Sequence, residues 1–356
     1  MIFFGLSLTA WVSPDKEYSQ AERRLLAKLP QISLEAAMDG SFKEGFEKYT
    51  TDQFPFRDQL RTAKALIEYK IFGKMDNNGL YEKDGHVAQL LWPYNEGSVT
   101  NATNKFGAIY DNLIAGTESE NKVYVSVIPD KGYYMAEGSG RPVIDYDDMF
   151  TQVKDQMYYA QFIDITEALD LDDYYKTDLH WRQENILPVA QALGQAMGLE
   201  YAGKADRLED MQAMTDFHGV YYGQSALPLP SEPMYFLTND VIREATTFNF
   251  ETNKSGEVYD TEALLGKDPY DVYLSGPTPL VTIDNPAAET DRELVIFRDS
   301  FGSSLAPLLI EDYAKITLVD IRYIQSGFLG QYLEFDGQDV LFIYGTTILN
   351  DSGLLK

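Results

Sequence analysis

The chain has 356 residues, 29 of them Lys or Arg and 56 Asp or Glu, for a formal charge of −27. That balance repels a phosphate backbone, and no Lys/Arg-rich stripe with interleaved aromatics offsets it locally, which excludes nucleic acid as a partner. Hydrophobic residues at 44%, with 19 Phe and 25 Tyr, supply a sizeable core and rule out a disordered or collagen-like chain, while the lack of cysteine removes disulfides, Cys-based zinc sites and Cys nucleophiles together.

Residues 1–12 carry no charge and include Phe3, Phe4, Leu8, Trp11 and Val12. The stretch is shorter than the ~20 apolar residues a bilayer span requires. It reads as an anchor remnant or as an ordinary buried element. The aromatics ending at Trp11 and the Pro14-Asp15-Lys16 exit favour the anchor, so residues 1–18 are taken as anchor remnant or linker. Residues 19–75 form a helical N-terminal segment: Ser19-Gln20-Ala21-Glu22 opens a run, and Phe42, Phe46 and Tyr49 recur at helical spacing. Phe54-Pro55-Phe56-Arg57 breaks that pattern before Leu60, Ala63, Leu66, Ile67 and Ile71 resume it. Lys83-Asp84-Gly85 predicts a hairpin turn, because Asp-Gly readily supplies positive φ.

Residues 76–356 form the main domain. A helix over 102–113 precedes the β-branched run VYVSVI at 123–128, and a second helix over 149–162 leads to a short strand at 162–165. Strand, helix, strand implies a parallel βαβ unit. An amphipathic helix carrying Ile186, Val189, Ala190, Leu193 and Met197 follows Trp181 and ends at Gly198. The polar stretch at about 201–290, broken by Gly and Pro, predicts a β-rich insertion. Sheet pattern then returns at 293–297, 315–319 and 340–344, with a helix over 303–313.

Arg298-Asp299-Ser300-Phe301-Gly302 lies between a strongly hydrophobic strand and a helix. A serine there presents Oγ at the carboxyl end of a sheet, where its own N–H and the helix N-terminus can hold an oxyanion; it equally suits a helix N-cap. A nucleophilic serine needs a base, and only His86, His180 and His218 are available. In Thr177-Asp178-Leu179-His180-Trp181 an aspartate two residues upstream can bond Nδ1–H of the imidazole and leave Nε2 for a serine proton. A structural histidine beside a capping aspartate fits the same residues.

Arg322 follows the strand at 315–319, Lys131 follows the strand at 123–128, and Tyr344 ends the last strand. These are candidates for the substrate or oxyanion side, against surface or ion-paired, solvated-loop and core roles respectively. Trp181 can stack on a sugar ring or anchor its loop in the core. No Gly-x-Ser-x-Gly, His-Glu-x-x-His, dinucleotide or Walker motif occurs, and no motif calls for a metal or cofactor.

Thr-Asp-x-His-Trp followed much later by Asp-Ser-Phe resembles the DHHW-motif family, the SGNH-hydrolase-like polysaccharide O-acetyltransferases of the alginate type. The likeness takes in Glu22-Arg23-Arg24-Leu25-Leu26-Ala27-Lys28-Leu29-Pro30, Gly40-Ser41-Phe42, Asp52-Gln53-Phe54-Pro55-Phe56-Arg57, Ile128-Pro129-Asp130-Lys131, Tyr273-Leu274-Ser275-Gly276 and Val319-Asp320-Ile321-Arg322. Leu179 stands where the family has its second histidine, and Arg298 where ordinary SGNH hydrolases have glycine. The resemblance implies an α/β, three-layer SGNH-hydrolase-like domain with a mainly parallel central sheet. It implies Ser300 as acyl-accepting nucleophile, His180 as base, Asp178 as its orienter and Arg322 as a supporting or oxyanion-side group. Gly276, in the Leu-Ser-Gly turn, is a further candidate oxyanion N–H. The expected activity is extracytoplasmic O-acetyl transfer to a polysaccharide hydroxyl, with a membrane-bound O-acyltransferase as donor partner. The alternatives are a carbohydrate esterase with the same triad and a catalytically silent polysaccharide-binding or cell-surface assembly protein.

Overall fold

The structure, a computed structural model, describes residues 9, 12–19, 21–117, 121–135 and 138–356. Most of residues 1–12, and with them the anchor reading, lie outside the described residues. No helix among the described residues is long and apolar enough to cross a membrane.

The N-terminal segment opens differently from its predicted helix. Tyr18–Ser19 (β1) and Arg24–Leu25 (β2) pair as a two-residue hairpin. Gly223 explains this: a Cβ there would lie 1.6 Å from Ala21 O, so the chain at Ala21 and Glu22 is shaped by close packing on the main domain rather than by local helical pattern. Helices follow at Leu34–Met38 (α1), Ser41–Asp52 (α2) and Arg57–Leu66 (α3). The predicted break falls at Phe56, whose φ is 58°. Phe42 stacks on Phe46, which meets Tyr49, as their spacing predicts.

Leu80–Lys83 (β3) and His86–Gln89 (β4) make the expected hairpin, with positive φ at Asp84 and Gly85. Then come Glu96–Ile109 (α4), Lys122–Ile128 (β5), Lys131–Met135 (α5), Tyr146–Gln156 (α6), the short Gln161–Phe162 (β6) and Leu187–Met197 (α7), which ends at Gly198 in the left-handed conformation. Glu209–Phe217 (β7) and Glu232–Thr238 (β8) form a separate antiparallel pair around Val220–Ser225 (α8), followed by Asp240–Glu244 (α9). Thr246–Asn249 (β9), Lys254–Glu257 (β10) and Leu280–Asp284 (β11) come next, so the stretch at 201–290 divides: β9 to β11 join the central sheet. The chain closes through Glu293–Arg298 (β12), Phe301–Leu305 (α10), Lys315–Val319 (β13), Asp339–Gly345 (β14) and Thr346–Asn350 (α11). The helix predicted over 303–313 starts at Phe301, and Pro307, which has no N–H to donate, sits where it tightens into a 3₁₀ turn.

Among the described residues the central sheet has eight strands, ordered β10-β9-β11-β13-β12-β14-β5-β6. The run β13-β12-β14-β5-β6 is parallel, and β11, β9 and β10 extend it antiparallel. Successive side chains along a strand point to opposite faces. Thus Leu294, Ile296, Leu341 and Ile343 enter a core with Val189 and Leu193 of α7. Val295, Phe297, Val340 and Phe342 enter a second core with Val99 and Phe106 of α4 and Met149 of α6. Burial on both faces is why these strands read as continuous apolar runs instead of alternating ones.

Candidate active site

Ser300 sits at the carboxyl end of β12, near the centre of the sheet. Asp299 fixes the turn: its Oδ1 accepts from Phe301 N at 3.0 Å and its Oδ2 from Gly345 N at 2.7 Å, which ties the serine to the end of β14. Burial pushes the Asp299 carboxyl up, and the Arg322 charge and the two N–H donors work against that. Ser300 itself adopts helical φ and ψ and caps nothing with its side chain, so the N-cap role is not the one it plays.

Its Oγ lies 2.7 Å from His180 Nε2, and His180 Nδ1 lies 2.7 Å from Asp178 Oδ1. An ionised carboxylate can only accept, so Nδ1 carries the proton and Nε2 accepts from the serine hydroxyl. Asp178 also accepts from His180 N at 3.1 Å and, through Oδ2, from Val220 N at 2.8 Å. Burial alone would raise this carboxyl, but His180, Arg23 and the Val220 N–H outweigh it and hold Asp178 ionised. Gly219 closes the backing: its N–H donates to Thr177 Oγ1 at 2.9 Å, and a Cβ there would meet Asp178 Cβ at 2.2 Å.

The imidazole is held from its face as well. Tyr270 stacks on His180 at 3.8 Å between ring centroids and 7° between planes, while Phe301 meets it edge-on. The Tyr270 hydroxyl and Trp181 Nε1 both donate to the buried Ser304 Oγ at 2.7 Å, and Ser304 donates to Phe301 O at 3.2 Å. Trp181 is fully buried and presents no exposed face on which a sugar could stack.

Above Ser300 opens a pocket of about 180 Å³, lined among others by His180, Asp271, Gly276, Arg298 and Arg322. Arg298 and Arg322 converge on the buried Asp320, at 3.5 and 2.6 Å. Burial opposes the Arg322 cation, but Asp320 more than offsets it and keeps the guanidinium protonated. Its Nε and Nη2 bond Asp320, which leaves Nη1 without a protein partner among the described residues. Gly276 lines the pocket at φ 81°, yet its N–H donates to Tyr273 O at 3.2 Å; that bond removes the free donor an oxyanion would need.

Lys131 and Tyr344 are not among the pocket-lining residues. Lys131 is buried, its ammonium donating to Tyr175 O and Lys176 O at 2.9 and 3.2 Å; burial brings its pKa down to about 7, against the raising influence of Asp178 and Glu232. This corrects the solvated-loop reading. Tyr344 packs on Phe106 in the core beneath the site. Leu179 packs among apolar side chains including Leu80, Val87 and Tyr221, so the family's second histidine position is an apolar contact here. The sequence around Tyr270, Ser304 and Gly219 bears no local mark of a role at the site. Only Asp299, beside the candidate serine, carried a local signal.

Solved structures share this fold. A DHHW family protein from Eubacterium siraeum matches with a TM-score of 0.62 and 19% identity, over 79% of this chain and 97% of its own. The resemblance read from the motifs stands. Bacillus cereus PatB1 with a sulfonyl adduct matches with a TM-score of 0.61 and 16% identity, over 76% of this chain and 95% of its own. A second structure of Bacillus cereus PatB1 gives a TM-score of 0.59 at the same identity. No protein-family model and no curated protein matches the chain.

Proposed function

We propose that the chain is an extracytoplasmic serine O-acetyltransferase that moves an acetyl group to a polysaccharide hydroxyl through acetyl-Ser300. The observation that carries this reading is the hydrogen-bonded series Ser300–His180–Asp178, with both links at 2.7 Å, opening onto a pocket beside Arg322. In the first half-reaction the Ser300 proton passes to His180 Nε2 as Oγ bonds the acetyl carbonyl carbon of an ester donor. The donor C–O bond then breaks and the leaving oxygen takes that proton. In the second half-reaction a sugar hydroxyl gives its proton to His180 and attacks the same carbon, and Ser300 Oγ departs reprotonated. Asp178 stabilises the imidazolium formed in each half, and the Arg322 charge opposes the negative charge developing on the carbonyl oxygen. Residues 1–18 are read as anchor remnant or linker, and, as the sequence resemblance implies, residues 76–356 form the SGNH-like domain and a membrane-bound O-acyltransferase supplies the acetyl group.

The test is intact-protein mass spectrometry after brief exposure to an aryl acetate ester, with peptide mapping. An acetyl adduct confined to Ser300, absent in Ser300→Ala and formed about 10²–10⁴-fold more slowly in His180→Ala, is the expected result. Unchanged ester turnover in either variant would overturn it. Turnover to free acetate even with saturating sugar would mark an esterase instead.

A further inference from the structure

Each charged side chain lining the pocket over Ser300 has a hydrogen bond or an ion pair except one, although Arg298 Nε and Nη2, which are buried, and Arg322 Nη1 have no partner among the described residues. Asp268 accepts from Tyr270 N at 3.1 Å and pairs with Arg23 at 2.6 Å. Arg298 and Arg322 share Asp320, and His180 lies between Asp178 and Ser300. The Asp271 carboxylate receives no hydrogen bond or ion pair from any described residue.

Two constraints hold it in place. Its neighbour Tyr270 is stacked on His180 and bonded to Ser304, which fixes the 3₁₀ turn Pro269–Val272 against the imidazole. On the other side Leu274, Ser275 and Gly276 run through three consecutive left-handed conformations, φ 57°, 59° and 81°. That backbone is unfavourable for leucine and serine, and such strain concentrates at functional sites. The turn closes on the carboxylate so tightly that a Cβ on residue 276 would lie 2.5 Å from Asp271 Oδ1. Burial, with Asp268 adding to it, raises the Asp271 carboxyl to about 6, while Arg23 and His180 pull it back. The fold therefore keeps, beside the reacting groups, a part-buried carboxylate with no donor of its own.

Resting on the acetyltransferase reading, we propose that Asp271 recognises the acceptor: it accepts hydrogen bonds from sugar hydroxyls next to the one acetylated and excludes uronates. The acceptor class is then a neutral glycan, or one bearing an amine. An ionised carboxylate is acceptor-only and can take two hydroxyl donors at once, whereas a sugar carboxylate in the same place meets a like charge in a partly desolvated pocket. Arg298 is fully buried, and both it and Arg322 pair with Asp320, at 3.5 and 2.6 Å, which offsets part of their charge, whereas the Asp271 carboxylate has no cation among the described residues paired with it.

The experiment starts from acetyl-Ser300, formed with an aryl acetate and freed of excess ester. A neutral gluco-oligosaccharide or an oligouronate of equal length is added, and acetylated sugar is measured per acetyl-enzyme consumed. Wild type is expected to favour the neutral sugar at least about ten-fold, and Asp271→Asn to bring the ratio toward one by losing neutral transfer and gaining transfer to the oligouronate. The ratio cancels any difference in acyl-enzyme formed. Because burial disfavours the charged form, Asp271→Asn should melt no lower than wild type at pH 7.5, so misfolding cannot account for the lost transfer. A wild type that acetylates the oligouronate as readily, or an Asp271→Asn with an unchanged ratio, overturns the acceptor assignment while Ser300 stands. Absence of acetyl-Ser300 in wild type defeats the acetyltransferase reading itself.

Discussion

Gly219→Ala adds one carbon beside the carboxylate that orients His180, and its consequence can be worked from the geometry. Gly219 has φ −76° and ψ 176°, ordinary extended backbone, so alanine meets no conformational penalty there. The obstacle is space: the new Cβ would lie 2.2 Å from Asp178 Cβ, 2.4 Å from Asp178 Cα and 2.4 Å from Thr177 O. Reaching an ordinary carbon–carbon contact of about 3.5 Å requires the two segments to part by roughly 1.3 Å. That displacement stretches Val220 N to Asp178 Oδ2, now 2.8 Å, and Gly219 N to Thr177 Oγ1, now 2.9 Å, beyond hydrogen-bond range.

Overpacking of this kind costs about 1–3 kcal/mol, and a catalytic group displaced by about 1 Å costs about 10²-fold in rate. Gly219→Ala is therefore expected to lower kcat/KM for aryl acetate turnover about 100-fold, with a reduced Tm. The control is Gly327→Ala, where nothing lies within 4 Å of the added carbon, and both quantities should hold. A Gly219→Ala variant that melts lower but turns over at the wild-type rate would refute the claim that residues 219 and 220 place Asp178. Wild-type values for both would refute the packing itself.

Two further outcomes are expected. Arg23 donates to His218 O at 2.7 Å and pairs with Asp268 at 2.6 Å, so it joins the loop behind Asp178 to the loop carrying Tyr270. Arg23→Ala should lower kcat about ten-fold with KM for a small ester little changed, and Arg23→Lys should recover only part, because one ammonium cannot reproduce the guanidinium's two-sided bonding. For pH dependence, burial and then Lys131 depress His86 to about 4, below the unfolded value near 6.5. The unfolded chain then binds the extra proton between those values, so stability falls as pH drops from about 6.5 to 4, by up to ~3 kcal/mol. Thermal melting across that window should show the slope in wild type and a shallower one in His86→Phe; equal slopes would sink the assignment.

The strands of the sheet centre were legible because burial on both faces leaves a run such as Leu294-Val295-Ile296-Phe297 with no polar interruption. Ser300 and the Asp178–His180 pair were legible because each is a local pattern: a serine at a strand end, an aspartate two residues before a histidine. What supports them was not. Tyr270 reaches His180 across 90 residues of chain, and the Gly219 contact with Asp178 spans 41, so neither leaves a local signature. The first turn of the N-terminal segment failed for the same reason: its polar start reads as a helix opening, but Gly223, two hundred residues later, packs against Ala21 and Glu22 where Tyr18–Ser19 and Arg24–Leu25 pair as a hairpin.

The two halves of the site are therefore anchored differently, and this separates their sensitivities. Ser300 is tied through Asp299 to the end of β14, between β12 and β5 in the parallel part of the sheet, where both faces are buried. Asp178 and His180 are held by outlying loops: Val220 from behind, Tyr270 from the face, and Arg23 bridging the two from the N-terminal hairpin. Loosening those loops leaves the nucleophile where it is and lengthens the proton path. Under the proposed mechanism each half-reaction passes a proton through His180, so substitutions at 23, 219 or 270 should slow both together, whereas a change at Asp271 should act on the second half alone. The partition of acetyl-Ser300 between formation and consumption distinguishes the two classes in a single rapid-mixing experiment.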